Sequence, residues 1–332
     1  MTDQPYHIPA LFEQSIAALD IKAGGVYVDC TLGGGGHTRG ILRAMAEAET
    51  AVATHGPCVL EDRGNGRLLS FDQDTDAIRR ALADEELASN ASLTLVHGNF
   101  RYLRNFLRYY GAEKVDGILA DLGVSFHHFD DPDRGFSFRW EEGALDMRMN
   151  RDGGQSAAQL IADATAERLA DILYLYGELR QARQMAAAIV KARSQAPIDT
   201  VSRLLEVVRP LINPRQEKKE LAQLFQALRI EVNGEIDALR SLLTQGREAL
   251  KAGGRFAIIT YHSLEDRLVK NFFRTGNLEG KEDKDFFGRS RSPFRLITSK
   301  PIVPDAAEIE RNPRSRSAKL RVAEKLPESE QG

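Results

Sequence analysis

Hydrophobic and polar residues alternate along this chain in a pattern that predicts strands and helices in turn. Short apolar runs rich in Val, Ile, Leu and Phe predict β-strands, at 25–30, 67–72, 92–96, 115–120 and 254–260. Between the first four of these runs, apolar residues recur at helical spacing, at 37–48, 75–87 and 101–110. Strands that alternate with helices are typical of an α/β fold, in which helices cover both faces of a parallel sheet.

The interval between the fourth and fifth predicted strands is too long for one crossover helix. From 156 to 228 it contains several amphipathic patterns, which are interrupted at Pro197, Pro210 and Pro214. We therefore expect an all-helical domain inserted into the α/β domain. The predicted bounds are 1–133 for the first part of the core, 134–222 for the helical insert, and 223–332 for the second part of the core with a basic C-terminal segment. Residues 50–66 occupy a connection that is usually short, and we expect them to form a surface insertion.

The composition is that of an ordinary globular protein, since 42% of the 332 residues are hydrophobic and 28% are charged. No stretch approaches the ~18 consecutive apolar residues of a membrane span, and the first residues lack the pattern of a signal peptide. A cytoplasmic protein is therefore expected. The cysteines, Cys30 and Cys58, form no Cys-x-x-Cys pair and are too few for a disulfide framework, so redox and structural zinc roles have no support.

Charge is distributed unevenly along the chain. The net charge is −3, which argues against a generally cationic surface, but residues 289–321 contain nine basic and three acidic residues. Such a segment could follow a nucleic-acid backbone. A solvated surface segment is an equally good interpretation of the charge alone.

The run Gly33–Gly36 interrupts the chain directly after the first predicted strand and before the first predicted helix. Glycine permits positive φ and has no Cβ to keep a ligand away from the backbone, and the first turn of a helix offers unpaired N–H groups. A dinucleotide site requires the pattern G-x-G-x-x-G, but Thr38 and Arg39 stand where the third glycine is needed. The turn therefore predicts a ligand site that is not a typical NAD site.

Asp72, at the end of the second predicted strand, supplies the complementary signal. A carboxylate there can accept hydrogen bonds from both hydroxyls of a ribose. Together with the glycine turn it indicates a nucleoside-containing cofactor, and S-adenosylmethionine fits because it carries adenosine without a pyrophosphate. The segment 72–76 also resembles a calcium loop, but Ala77 replaces the required glycine, so no metal site is predicted.

The residues that follow the predicted strands should converge, because ligands of open α/β sheets bind beyond the carboxyl ends of the strands. These residues are Gly33–His37, Asp72, Asn99–Phe100, Asp121–Ser125 and Tyr261–Ser263. Phe100 could pack on an adenine ring or simply cover the sheet. His37 could donate to a ligand carboxylate or merely fill the first helical turn.

Longer motifs occur in order over nearly the whole chain. They lie at 29–37, 71–74, 97–100, 117–125, 131–138, 145–149, 225–233, 253–267 and 312–317, and include Asp-Cys-Thr-Leu-Gly-Gly-Gly-Gly-His, Asp-Pro-Asp-Arg-Gly-Phe-Ser-Phe and Thr-Tyr-His-Ser-Leu-Glu-Asp-Arg. In these motifs the chain resembles the bacterial 16S ribosomal RNA cytosine-N4 methyltransferases.

The resemblance implies a Rossmann-like class I S-adenosylmethionine-dependent methyltransferase sheet with an inserted all-helical domain. By motif position, it places the cofactor contacts on seven residues: Gly35, Gly36, His37, Asp72, Phe100, Asp121 and His128. The chain departs from the family at Phe126, where a short residue is usual, and at His128, where Gln is frequent. The implied substrate is 16S ribosomal RNA, in the assembled small subunit.

Methylation at cytosine N4 needs an oriented amine and hydrogen-bond acceptors, without a covalent nucleophile. Methylation at C5 would need a cysteine thiolate, and neither cysteine lies in a late strand-exit loop. We expect Asp121 and the loop to Ser125 to orient the amine, and Tyr261 and His262 to line the base pocket. His262 could also accept the released proton or be a hydrogen-bonded histidine at a strand end.

Asp146 and Arg148 are expected to be structural partners that close the site. Two other functions stay open on the residues alone. One is methylation of another nucleic-acid amine, and the other is RNA binding by a cofactor fold without turnover.

Overall fold

The structure is a computed structural model that describes residues 9–54, 66–284 and 291–330. The chain divides into two compact units, one formed by residues 1–123 and 237–332 and the other by residues 124–236. We call them the sheet unit and the helical unit. Cys58, the central part of the predicted 50–66 insertion and Arg289 lie outside the described residues.

The sheet unit contains a seven-stranded mixed sheet with strand order β3-β2-β1-β4-β5-β7-β6. Neighbouring strands from β3 to β5 are parallel, whereas β7 runs antiparallel to both β5 and β6. The strands are β1 Val26–Asp29, β2 Arg67–Asp72, β3 Leu93–His97, β4 Val115–Asp121, β5 Leu250–Thr260, β6 Phe294–Leu296 and β7 Lys319–Lys325. The predicted α/β class with a helical insert is confirmed, but the sheet is not parallel throughout.

Strands β6 and β7 were not predicted because their charged residues resemble a solvated segment. In β7, Arg321 is buried, and its Nε donates to Asp266 Oδ1 at 2.7 Å. Glu324 is also buried, and Arg295 Nη2 donates to its Oε1 at 2.6 Å. The charges therefore enter the sheet as pairs, which lowers the cost of burying them.

The helices of the described residues include short single-turn elements as well as long amphipathic ones. They are α1 Phe12–Ala18, α2 Gly36–Thr54, α3 Thr75–Ala83, α4 Glu85–Ala88, α5 Leu103–Tyr109, α6 Phe126–Asp130, α7 Ala157–Asp163, α8 Ala166–Leu175, α9 Ala182–Arg193, α10 Val201–Val208, α11 Glu217–Asn233, α12 Glu235–Ala249, α13 Ser263–Thr275 and α14 Ala306–Arg311. The predicted helix 75–87 is two helices, because Asp84 leaves the helical conformation and its carboxylate caps α4 by accepting from Leu87 N.

Two apolar layers cover the two faces of the sheet. Successive residues of a strand face opposite sides, so Ile118 belongs to one layer and Leu119 to the other. Helices α5, α12 and α13 contribute to the first layer, for example through Leu243 and Phe273. Helix α2 contributes Ile41 to the second. This packing fixes the strands whose carboxyl ends form the candidate site.

The helical unit has its own apolar core. Helix starts are set by side-chain caps, such as Ser156, which forms a reciprocal capping box with Gln159. The helical unit spans residues 124–236 and contains the predicted insert 134–222. Helix α11 supplies Leu224 and Leu228 to this core, and Val124 packs against it at the other end.

None of the helices in the described ranges has both the length and the apolar character that crossing a bilayer requires.

Candidate active site

The glycine turn connects the end of β1 to the start of α2. Gly33 and Gly35 have φ values of 52° and 78°, which other residues adopt only with strain. A Cβ on Gly35 would lie 2.9 Å from Leu87 Cδ1, so the position is also crowded. The turn therefore depends on glycine for its backbone conformation, as the sequence indicated, and a side chain at position 35 would also require Leu87 to shift.

Asp29, which was not predicted as a site residue, stabilises the turn through hydrogen bonds to Thr31 and Thr38. Its side chain is fully buried at the end of β1. Oδ1 accepts from Thr31 N at 3.0 Å, and Oδ2 accepts from Thr38 Oγ1 at 2.6 Å. Burial raises the pKa of Asp29, and the hydrogen bond from Thr38 opposes that rise. The sequence signal that could have identified Asp29 is an acidic residue at the end of an apolar strand, a few residues before the glycines.

Asp72 lies against the same turn. Its Oδ2 accepts from Gly33 N at 2.9 Å, and its Oδ1 accepts from Asp74 N at 2.8 Å. Burial raises the pKa of Asp72 to about 6, and both backbone hydrogen bonds oppose that effect. Since each carboxylate oxygen has a second lone pair, the fixed carboxylate can still accept from ribose hydroxyls.

The loop after β3 is tied to the loop after β2. Asn99 Nδ2 donates to Gln73 Oε1 at 2.6 Å, and Asn99 Oδ1 accepts from Arg101 N at 2.9 Å. These bonds place Phe100 at the start of a 3-10 turn beside Asp72's loop. Its half-buried ring packs against the core of the sheet unit, so covering the sheet is at least part of its role.

Asp121, at the end of β4, is the centre of a small polar network. Its backbone N donates to Thr31 Oγ1 at 2.7 Å, and Tyr261 OH donates to its Oδ1 at 2.9 Å. Its Oδ2 lies 3.8 Å from His37 Nδ1. Burial raises the pKa of Asp121 to about 7, and the hydrogen bond from Tyr261 opposes this. The carboxyl group is therefore poised to gain or lose a proton near neutral pH.

His37, the second residue of α2, is buried and lies parallel to Phe12, with ring centroids 6.0 Å apart. Burial lowers its pKa to about 4, so the imidazole is neutral at pH 7. The backbone of Ala10 opposes this effect as a hydrogen-bond acceptor for the ring, and the buried Nε2 has no partner within 3.5 Å and in good geometry among the described residues. An unpaired buried ring nitrogen beside a glycine turn fits a site that takes a polar ligand group. The residues present thus fit the cofactor that the sequence indicates.

Tyr261 and His262 are both held by Glu265, another residue that the sequence analysis did not single out. Glu265 is buried; its Oε2 accepts from Tyr261 N at 3.1 Å and its Oε1 lies 3.1 Å from His262 Nε2. The side chain of His262 also caps α13. These are contacts of a hydrogen-bonded histidine at a strand end. Burial raises the pKa of Tyr261 well above its usual range, which keeps the hydroxyl protonated as a donor.

Ser125 and His128 lie in the helical unit. The carbonyl of Ser125 accepts from His128 N at 3.0 Å, and the buried ring of His128 stacks on Phe136 with centroids 4.9 Å apart. Asp146 and Arg148 form a two-point ion pair, with Nε and Nη2 at 2.9 and 2.8 Å from the carboxylate oxygens. This pair has the geometry of a structural contact.

The predicted site residues thus divide into two sets. In the sheet unit, hydrogen bonds link Asp72 to Gly33, and Asp121 to Thr31 and Tyr261; His37 lies 3.8 Å from Asp121. His262 is linked to this network through Glu265, which also accepts from Tyr261 N. The contacts described for Ser125 and His128 belong to the helical unit.

Comparison with known proteins gives similarity along almost the entire chain. A model of the MraW methylase family matches residues 4–54 and 50–326. Ribosomal RNA small subunit methyltransferase H of Bacteroides thetaiotaomicron is 55% identical over 320 residues, covering 96% of this chain and 97% of that protein. The protein of the same name from Parabacteroides distasonis is 54% identical, covering 98% and 99%. That from Porphyromonas gingivalis strain ATCC 33277 is 48% identical, covering 97% of each.

Proposed function

The chain belongs to the MraW methylase family, and on that premise we propose that it transfers a methyl group from S-adenosylmethionine to N4 of a cytidine in 16S ribosomal RNA. The observation that carries the proposal is the network of the sheet unit, in which the residues after β1 bind Asp72 through Gly33 and Asp121 through Thr31. The relatives named ribosomal RNA small subunit methyltransferase H support the substrate class.

S-adenosylmethionine supplies a methyl group on a sulfonium sulfur, an electrophile that an amine lone pair can attack. Asp72 is proposed to accept from the ribose hydroxyls, since its carboxylate is fixed by Gly33 and Asp74. The neutral His37 offers its unpaired Nε2 to a polar group of the cofactor. Gly35, Gly36, Phe100, Asp121 and His128 complete the proposed contact set.

Asp121 is the residue best suited to the target amine. The lone pair of cytosine N4 is delocalised into the ring, so the amine must be oriented and its N–H groups must meet an acceptor as positive charge develops. An ionised Asp121 provides that acceptor, and its pKa of about 7 allows it to take up the released proton at neutral pH. Tyr261 holds the carboxylate in place through its hydroxyl. The loop to Ser125 is proposed to help orient the amine, and Tyr261 and His262 are proposed to line the base pocket.

The basic segment is proposed to bind the RNA backbone through only some of its cations. Lys319 and Arg321 pair with Asp266, and Arg295 pairs with Glu324, so these charges serve the fold. Arginines 311, 314 and 316 are exposed around α14 and the 3-10 turn that follows it. These three arginines are proposed to form the positive surface that binds the structured RNA of the small ribosomal subunit. Because that subunit is located in the cytoplasm, we propose that the enzyme is cytoplasmic.

Transfer of a labelled methyl group tests the reaction. The purified protein is incubated with S-adenosylmethionine labelled in the methyl group and with small subunits that lack the modification, and the RNA is digested to nucleosides. Label in N4-methylcytidine is expected. Label in another nucleoside would favour methylation of a different nucleic-acid amine. Binding of RNA without transfer would favour a cofactor fold that has lost turnover.

A charge variant tests the RNA surface. Replacement of Arg314 and Arg316 by Ala should weaken binding to the small subunit and reduce the slope of log K against log salt by roughly 1.5, for two phosphate contacts. Affinity for S-adenosylmethionine should not change. Arg79→Ala, which removes an exposed arginine paired with Asp76, is the matched control. An unchanged salt slope in the double variant would remove this segment from the RNA surface.

A further inference from the structure

The helical unit contains a polar cavity of about 290 Å³, close to the lower end of the ~300–1,000 Å³ range of small-molecule sites. It lies between the connection from α8 to α9 and the beginning of α11. Most of its walls are polar or charged, and they include Glu178, Arg180, Gln181, Lys219, Glu220 and Gln223. The proposed methyl-transfer chemistry uses none of these residues.

The wall formed by the α8–α9 connection is tightly constrained. A Cβ on Gly177 would lie 2.7 Å from Leu173 O and 2.9 Å from Gln223 O, so only glycine allows this close approach to α11. The next residue, Glu178, has a φ of 53°, the left-handed conformation that costs a non-glycine residue roughly 1–2 kcal/mol. Backbone strain of this kind often occurs in ligand-binding loops.

Glu220 is the residue that gives the cavity its chemistry. Only 7% of the surface of Glu220 is exposed to solvent. In the described part of the chain, its carboxylate has one hydrogen-bond partner, with Gln181 Nε2 at 3.4 Å from Oε2. A carboxylate can accept about four hydrogen bonds, and burying one with so little compensation is costly. The cavity therefore presents a carboxylate with one long hydrogen bond from the described residues and unused acceptor capacity.

We propose that this cavity binds a guanine base, with Glu220 accepting from N1–H and the N2 amino group. Guanine is the base whose Watson–Crick edge places two donors side by side, which matches the two oxygens of a carboxylate. In adenine and cytosine a ring acceptor lies next to the amino group, and in uracil the N–H lies between two carbonyls, so each would set an acceptor against Glu220. The amides of Gln181 and Gln223 can then donate to the O6 acceptor.

Arg180 and Lys219 give the cavity a second recognition element. Both residues line it and are exposed, so their cationic groups are accessible to a phosphate outside the cavity. A guanosine nucleotide thus satisfies the acidic interior and the basic rim together. Proteins read the bases of structured RNA when these bases are unpaired and splayed out. We therefore assign the nucleotide to an unpaired guanosine of the RNA substrate, an assignment that rests on the proposed function.

Titration of the full-length protein with the four nucleoside monophosphates tests the site directly. GMP should bind at least about tenfold more tightly than AMP, CMP or UMP, measured by calorimetry or ligand-observed NMR. Glu220→Gln should weaken GMP binding by about tenfold or more, because it replaces a charged double acceptor. Glu217→Gln, on the same helix but paired with Arg209, is the matched control and should bind GMP as the unchanged protein does.

A second pair of variants keeps the test valid if Glu220→Gln does not fold, which thermal melting will report. Lys219→Ala should weaken GMP binding, whereas Lys218→Ala, its neighbour outside the cavity, should not. GMP binding no tighter than that of the other nucleotides, or unaffected by both Glu220→Gln and Lys219→Ala, would overturn the site.

A steady-state assay then tests the connection to RNA. Glu220→Gln should raise the KM for the small subunit several-fold and leave kcat and the affinity for S-adenosylmethionine unchanged. An unchanged KM in a variant that has lost GMP binding would overturn the assignment to substrate RNA. Failure of the unchanged protein to methylate RNA would instead refute the proposed function, and the GMP titration would still report on the cavity.

Discussion

Removal of the Tyr261 hydroxyl should shift the pH dependence of methyl transfer. This hydroxyl donates to Asp121 Oδ1 at 2.9 Å. Burial raises the pKa of Asp121 to about 7, and the hydrogen bond from Tyr261 acts in the opposite direction because it stabilises the ionised carboxylate. The Tyr261→Phe variant lacks this hydrogen bond, which opposes the effect of burial. The pKa of Asp121 should therefore rise further.

The size of the shift follows from the strength of that hydrogen bond. A hydrogen bond to a charged group contributes roughly 1.5–3 kcal/mol, and one pKa unit corresponds to about 1.4 kcal/mol. The Asp121 side chain is 20% exposed, so some solvent screening remains and the lower end of this range applies. We expect the pKa to rise by about 1 unit, from about 7 to about 8, which at pH 6.5 reduces the ionised fraction roughly eightfold.

Single-turnover methyl transfer to the small subunit, measured from pH 5.5 to 9.5, provides the assay. The acidic limb of the rate profile for Tyr261→Phe should move up by about 1 pH unit, with near-normal rates at the alkaline end. Tyr27→Phe is the matched control: it removes another buried hydroxyl, which accepts from Lys22 N, and should leave the profile in place. An acidic limb that stays in place in Tyr261→Phe would refute the role of Asp121 as the ionised acceptor.

Three further predictions concern the cofactor, the turn and the stability of the fold. Asp72→Ala should weaken binding of S-adenosylmethionine by at most about 3 kcal/mol in calorimetry, while Asp76→Ala should not, and unchanged affinity would remove Asp72 from the site. Gly35→Ala should lower the free energy of unfolding by roughly 1–2 kcal/mol, because φ is 78° there; Gly153→Ala, where a Cβ meets nothing within 4 Å, is the control, and equal denaturation midpoints would contradict the strain. Because burial raises the pKa of Asp121 to about 7, the contribution of Asp121 to stability should be lost as pH rises from about 4 through about 7. The difference in free energy of unfolding between Asp121→Asn and the unchanged protein should therefore vary with pH over this range, and a constant difference would contradict the role of burial.

Buried elements with simple patterns were predicted well from the sequence. Strands β2 and β3 were located to within a residue, because their apolar runs end at polar residues. Strand β5 was predicted to begin at 254 but begins at Leu250, since Lys251 is exposed and the residues that follow it are small. The family resemblance inferred from the motifs is confirmed by the match to the MraW methylase family.

Features that depend on distant pairing could not be predicted in the same way. Strand β7 is identified by its ladder with β5 and by the pairing of Arg321 with Asp266, residues far apart in the chain. Asp29 and Glu265 organise the site through hydrogen bonds to backbone and neighbouring side chains. Local sequence contains their identity but not the burial that gives them these roles.

The glycine turn, by contrast, could be predicted because its information is local. Positive φ at Gly33 and Gly35 is a property of the residues themselves. Asp72 could be placed beside the turn because parallel strands have their carboxyl ends at one edge of the sheet. The hydrogen bond from Gly33 N to Asp72 follows from this arrangement. The hydrogen-bond partners and the burial of the Asp72 and Asp121 carboxylates could not be predicted from the sequence. The shifts of their pKa values therefore could not be predicted either.

The proposed reaction can be tested in the cell by the modified-nucleoside content of 16S ribosomal RNA in a strain that lacks this protein. Mass spectrometry should find that N4-methylcytidine is lost on deletion, restored by the unchanged chain, and not restored by a variant with Ala at both Asp72 and Asp121. Ribosomal RNA with an unaltered N4-methylcytidine content after deletion would contradict the account.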